Sequence, residues 1–157
     1  MRIAAIVRIL TGVLFVAEGL SKISGPFVRG GFSAHVGGIA AGSFLFWKRF
    51  LEVVVVPRAG LFAWVVALGE IAVGTGLLAG FLTRVAAGGG ALLTLTIALG
   101  QARPDPGASW GDWITSGLTA KFAFLLLILL FAVNPGTVWG FDARRRGRHA
   151  KLREVRT

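Results

Sequence analysis

The residues that could do chemistry are few, and they are charged groups set in apolar sequence. Glu70 is the single formal charge in residues 59–82, AGLFAWVVALGEIAVGTGLLAGFL, a run fenced by Arg58 and Arg84. As a helix this run is about 36 Å long, enough to cross a hydrocarbon core of about 30 Å. A carboxyl group near the midplane costs roughly 2.5–3.5 kcal/mol to insert, so Glu70 is expected to face other helices or water and to have a partner. Glu18 and Lys22 lie four apart in the first apolar run and share a helix face. Lys121 lies about one turn inside the last apolar run. Depth along the runs predicts a polar cluster of Glu70, Glu18, Lys22 and Lys121 around which a small ligand could bind. Glu70 and Glu18 are then the candidate catalytic carboxylates. The competing reading of Glu70 is a structural carboxyl that ties helices together.

Other chemistries are narrowed by composition. There is no cysteine, which excludes a disulfide framework, a thiolate-held iron–sulfur cluster and a thiol redox centre within this chain. His35 falls in a loop and His149 in a basic tail, so a two-histidine haem or copper site is not expected, and no metal site is. A lone loop histidine such as His35 is normally solvated. No glycine stretch follows a strand in the way a phosphate-binding loop requires.

With 157 residues, 55% of them hydrophobic, and a mean hydropathy of +0.75, the chain reads as one all-α membrane domain. Spans are expected at about residues 3–20, 59–82, 85–100 and 118–139, forming a four-transmembrane-helix bundle. The first run could be a signal peptide, but no small-residue cleavage site follows it, so it is read as retained. Arg8 in that run is expected to snorkel toward the headgroups. Residues 24–57 form a long first connection opened by Gly25-Pro26 and Gly30-Gly31. Its second part, residues 43–56, sets Lys48, Arg49 and Glu52 among aromatic residues and is expected to be interfacial or re-entrant. Thr94 and Thr96 are expected to back-bond to their own helix. The 23 glycines suggest close helix packing, with Gly76/Gly80, Gly38/Gly42 and Gly136/Gly140 at the four-residue spacing that permits it.

The net charge is +10. Four spans place both termini and the Arg84 turn on one side with ten basic residues, against seven on the other, so the termini are expected in the cytoplasm. The expected location is the bacterial inner membrane. Residues 142–157, DARRRGRHAKLREVRT, form a basic tail, with Arg144, Arg145, Arg146, Arg148 and Lys151 expected to bind anionic lipids rather than nucleic acid.

Three blocks, RILTGVLFVAEGLSKI from Arg8, LGEIAVGTGLLAGFLTRVAA from Leu68 and NPGTVWGFDA from Asn134, resemble the DoxX family of small membrane proteins. The long first connection is more like the DoxD-type branch, named for a subunit of an archaeal thiosulfate:quinone oxidoreductase. The resemblance implies a four-helix membrane bundle associated with quinone-linked sulfur oxidation or with oxidoreductase complexes that handle thiol and oxidative stress. The positions it carries over are Arg8, Gly19, Lys22, Gly69, Glu70, Gly74, Gly80, Arg84 and Asp142. The absence of cysteine argues against direct thiol chemistry by this chain.

Two functional expectations follow. One is a component of a quinone-linked membrane oxidoreductase complex, with quinone bound beside Glu70 and no cofactor intrinsic to the chain. The other is a non-catalytic accessory subunit of a larger respiratory or photosynthetic assembly. A small transporter is a weaker third reading. The expected partners are the lipid bilayer and either other membrane subunits or further copies of this chain.

Overall fold

The computed structural model describes residues 2–100, 109, 111, 118–133, 140 and 142. No strand occurs among the described residues. The helices are α1 (Arg2–Ser24), α2 (Phe32–Ala41), α3 (Leu45–Phe50), α4 (Ala59–Ala79), α5 (Thr83–Gly100) and α6 (Leu118–Val133). Three helical stretches, Arg2–Ser24, Leu45–Ala79 and Thr83–Gly100, are long and apolar enough to cross a membrane, and Ala120–Val133 is a shorter apolar helix.

Helix α1 outruns its expected end because nothing in residues 20–24 breaks it. It stops at Gly25-Pro26, where proline disfavours a helical residue before it. The last turn satisfies its carbonyls locally: the Ser21 hydroxyl donates to the Glu18 carbonyl and the Ser24 hydroxyl to Leu20. A wide turn, Phe27–Gly31, contains Gly30 at φ 116° and redirects the chain into α2.

The segment expected to be interfacial or re-entrant is helical and runs directly into α4. Residues 45–79 form one helical run of 35 residues, in which α3 continues into α4 through a wide turn, Leu51–Val55, and a tight one, Val56–Arg58. Pro57 within this run lacks an N–H and crowds the turn before it. Widening that turn accommodates the ring, and the Arg58 guanidinium donates to the Val54 carbonyl at 3.3 Å. The charges fit the exposed side of a helix, with Lys48 and Glu52 paired four apart at 3.8 Å. Helix α2 folds back on this run, seating Phe32, Val36 and Ala40 against Leu51, Val55 and Ala63. The Ser43 hydroxyl then donates to the Gly100 carbonyl at 3.2 Å, fastening the α2–α3 corner to the end of α5.

The main bundle is α1 along α4, α4 against α5, and α5 along α6. Val73 and Leu77 of α4, Ala87 and Ala91 of α5, and Leu127 and Leu130 of α6 form its apolar centre. Large apolar side chains also cover the outside, including Leu10 and Leu14 on α1, Leu61 and Leu68 on α4, and Phe122 and Leu125 on α6. That distribution suits lipid. Thr94 and Thr96 bond back to Gly90 and Leu93 of their own helix, as expected.

The closest crossing joins α1 to α4, and it is built on glycines spaced seven apart. A Cβ at Gly74 would lie 2.7 Å from the Gly12 carbonyl oxygen, and one at Gly19 would lie 2.7 Å from that of Ala67. The pairings Gly12–Gly74 and Gly19–Ala67 run in opposite senses, so the two helices are antiparallel. Of the four-residue glycine pairs, Gly76 and Gly80 make close approaches, Gly38 faces open space, and Gly136 lies outside the described residues.

Gly74→Val should therefore push α1 off α4. The expected cost is about 1–3 kcal/mol, as for an overpacked core. Gly60→Ala, where nothing lies within 4 Å, should change stability by less than about 0.5 kcal/mol. Unfolding of the detergent-solubilised chain by sodium dodecyl sulfate measures both.

Candidate functional site

Lys22 sits near the end of α1, and its stem leans back toward the helix N-terminus, as helical side chains do. That direction carries the ammonium to two carboxylates. Lys22 Nζ lies 3.3 Å from Glu18 Oε2 on the preceding turn and 2.8 Å from Glu70 Oε2 across the α1–α4 crossing. The glycine contact sets this reach, because Gly19, between Glu18 and Lys22, is where the backbone of α1 rests on α4. Exposure rises through the group: the Glu70 side chain is 9% exposed, that of Lys22 18% and that of Glu18 68%.

The Phe27 ring lies 5.7 Å from the Lys22 ammonium in cation–π geometry, and it is placed there by the turn that follows α1. His35, exposed on α2, packs edge-on against the same ring at 5.8 Å. It joins the site through Phe27. The structure thus brings Glu18, Lys22 and Glu70 together. Lys121 stands on α6, partly buried. The basic-tail residues Arg144, Arg145, Arg146, Arg148 and Lys151 lie outside the described residues, as do His149 and the end of the expected last span.

The group has two protonatable carboxylates and one ammonium within hydrogen-bonding reach. It can hold a small polar headgroup by donating from Lys22 and accepting at Glu70. It can also move a proton between the buried and exposed ends. Among the described residues, no group of three or more histidine, aspartate and glutamate side chains is placed to hold a metal.

A second polar centre lies at the opposite end of α1. Arg8 does not snorkel: it is fully buried at 0% exposure, because the α4–α5 turn and residue 140 close over it. Helix α4 ends with the Gly80 N–H bonded to Leu77 O at 3.2 Å and the Phe81 N–H to Gly76 O at 3.1 Å, a glycine cap that needs the left-handed φ of 61° found at Gly80. A Cβ there would collide with the Arg8 guanidinium. Leu82 also takes a positive φ, 48°, at a cost of about 1–2 kcal/mol for a side chain with a Cβ.

Asp142 holds this strained turn. Its carboxylate accepts from the Leu82 N–H at 3.1 Å, the Thr83 N–H at 3.0 Å and the Thr83 hydroxyl at 2.9 Å. Its own N–H donates to the Gly80 carbonyl at 3.0 Å. A residue 59 positions away in sequence therefore caps the N-terminus of α5, where a negative charge complements the helix dipole. Burial pushes the Asp142 carboxyl up, but the donors of Thr83 and Leu82, with the Arg8 charge, outweigh it and hold the group below the ordinary aspartate range. The sequence offered Arg8 and Asp142 only as separate charges. Their one shared signal was the set of carried-over positions that includes Gly80.

Because the folded carboxyl has the lower pKa, its stabilisation is complete above the unfolded value, about 3.9, and is lost as pH falls through the folded value. Asp142→Asn should flatten the acid limb of the stability curve below about pH 4. Asp142→Ala should cost about 0.5–2 kcal/mol at neutral pH, the worth of a helix cap. Thermal unfolding in detergent across pH 2.5–7 measures both.

The DoxX family profile matches residues 3–100. The match takes in α1 to α5, and so Arg8, Glu18, Lys22, Glu70 and the α4–α5 turn; α6 and Asp142 lie beyond it. No curated protein and no solved structure matches the chain. A profile match over more than half of the length, on a chain with three membrane-crossing helices, settles the family: this membrane protein belongs to the DoxX family.

Proposed function

We propose that the chain is an integral subunit of a quinone-linked membrane oxidoreductase complex, and that the Glu18–Lys22–Glu70 group receives the quinone headgroup. The observation that carries this reading is the buried Glu70 carboxylate, 2.8 Å from an ammonium whose other side is open to Glu18 and Phe27. The donor set fits the headgroup. Lys22 donates to a carbonyl oxygen, Glu70 accepts from the hydroxyl of the reduced form, and the Phe27 ring offers an aromatic face. A bound quinone supplies two-electron redox chemistry, with electrons delivered by another subunit. This chain's own part is to orient the headgroup and to hold or release protons at Glu70 and Lys22.

In this reading α6 completes a fourth span, both termini are cytoplasmic, and the membrane is the bacterial inner membrane. The excess of basic residues on the terminal side supports that orientation. The tail residues Arg144, Arg145, Arg146, Arg148 and Lys151 then meet anionic headgroups. One observation favours a second reading, a non-catalytic accessory subunit: Glu70 is already tied to Lys22, which is what an interhelical fastening requires.

Glu70→Gln separates the two. The amide keeps the shape and a hydrogen bond but cannot take the proton. As a quinone-site subunit, the variant, which keeps a hydrogen bond from Lys22, should lose at least about tenfold in short-chain quinone reduction per assembled complex in native membranes. If activity falls only in proportion to lost assembly on native gels, the accessory reading replaces the first.

A further inference from the structure

We propose that Glu18 is the proton port for Glu70, exchanging protons with water and passing them through the Lys22 ammonium. The inference rests on the reading of Glu70 as the carboxylate that trades a proton at the site. It adds a role for two neighbours and a direction of travel.

The geometry is a chain of three groups with a gradient of exposure. Glu18 is 68% exposed, Lys22 18% and Glu70 9%, and the intervening distances are 3.3 and 2.8 Å. Among the described residues, the ion-pair partners of Lys22 are Glu18 and Glu70. The exposed carboxylate lies on the last turns of α1 beside Ser21 and Ser24, both exposed, and just before Gly25-Pro26. An ionised group this exposed requires water or headgroups rather than hydrocarbon. Glu70 has no comparable opening, and Phe27 covers the ammonium from the side of the following turn.

The transfer balances without a redox partner. A Lys22 N–H bond breaks as its proton forms an O–H bond on the Glu70 carboxylate. Glu18 picks up a proton from water and gives it to the neutral amine, returning to carboxylate. One proton has moved from water to Glu70, and Lys22 is again an ammonium. The flexible lysine stem allows the nitrogen to approach either oxygen in turn.

The test is rapid-mixing infrared spectroscopy on the full chain in nanodiscs prepared without quinone. After a pH drop, the carboxyl stretch of Glu70 grows in, identified as the band missing in Glu70→Gln. Glu18→Gln and Lys22→Met should each slow its appearance by at least about tenfold, while Glu18→Asp, which keeps the carboxyl group, should stay closer to the parent rate than either. Parent kinetics in Glu18→Gln overturn the proposal, and Glu18 is exposed enough for that variant to fold. Because the measurement uses no quinone and no turnover, its failure is distinct from failure of the quinone-site reading.

Discussion

The ion pair between Lys22 and Glu70 is the interaction on which the arrangement of α1 and α4 depends. In lipid there is no hydrophobic force to press one apolar helix on another, so association rests on close packing, polar contacts and lipid entropy. The α1–α4 crossing has the first two. Gly12, Gly19 and Gly74 let the backbones touch, and that contact brings the Lys22 nitrogen within 2.8 Å of Glu70. Either charge alone in this place is costly, and pairing offsets part of that cost. At 2.8 Å the two groups are also close enough to share a hydrogen bond.

Helix α1 therefore carries a polar centre toward each end, with apolar packing between them. At one end Lys22 joins α1 to α4. At the other, Arg8 lies under the α4–α5 turn, where Asp142 caps α5 and holds Leu82 in a conformation it would not otherwise keep. The two centres differ in kind. Asp142 is saturated by backbone and hydroxyl donors, as suits a fastening. Glu18 is open and its partner Lys22 is shared, as suits a group that exchanges ligands or protons.

Much of this was legible in the sequence where one residue's cost demanded an answer. A single carboxyl in 24 apolar residues had to find a partner, and Lys22 was within reach by depth. The family was legible in the two blocks that contain these residues. The charges around Lys48, Arg49 and Glu52 marked a change of character, but not that the segment is helical and leads straight into α4 through a widened turn, with an i,i+4 ion pair on it. At Arg8 the expectation failed. A long basic side chain near a helix end usually reaches out, and what draws it inward is a turn and a residue more than 70 positions away. The glycines that govern the main crossing repeat every seven residues rather than every four, so the familiar spacing pointed elsewhere.

The most direct measurement is a double-mutant cycle on Lys22 and Glu70 in the full chain, with unfolding free energies from reversible denaturation in mixed micelles. Lys22→Met strands the buried Glu70 carboxylate and should cost about 3–5 kcal/mol, Glu70→Leu leaves Lys22 paired with Glu18 and should cost less, and the double variant should cost clearly less than the sum of the two. Additive losses would contradict the account, because they would mean that the two side chains do not depend on each other and that α1 is held to α4 by packing alone.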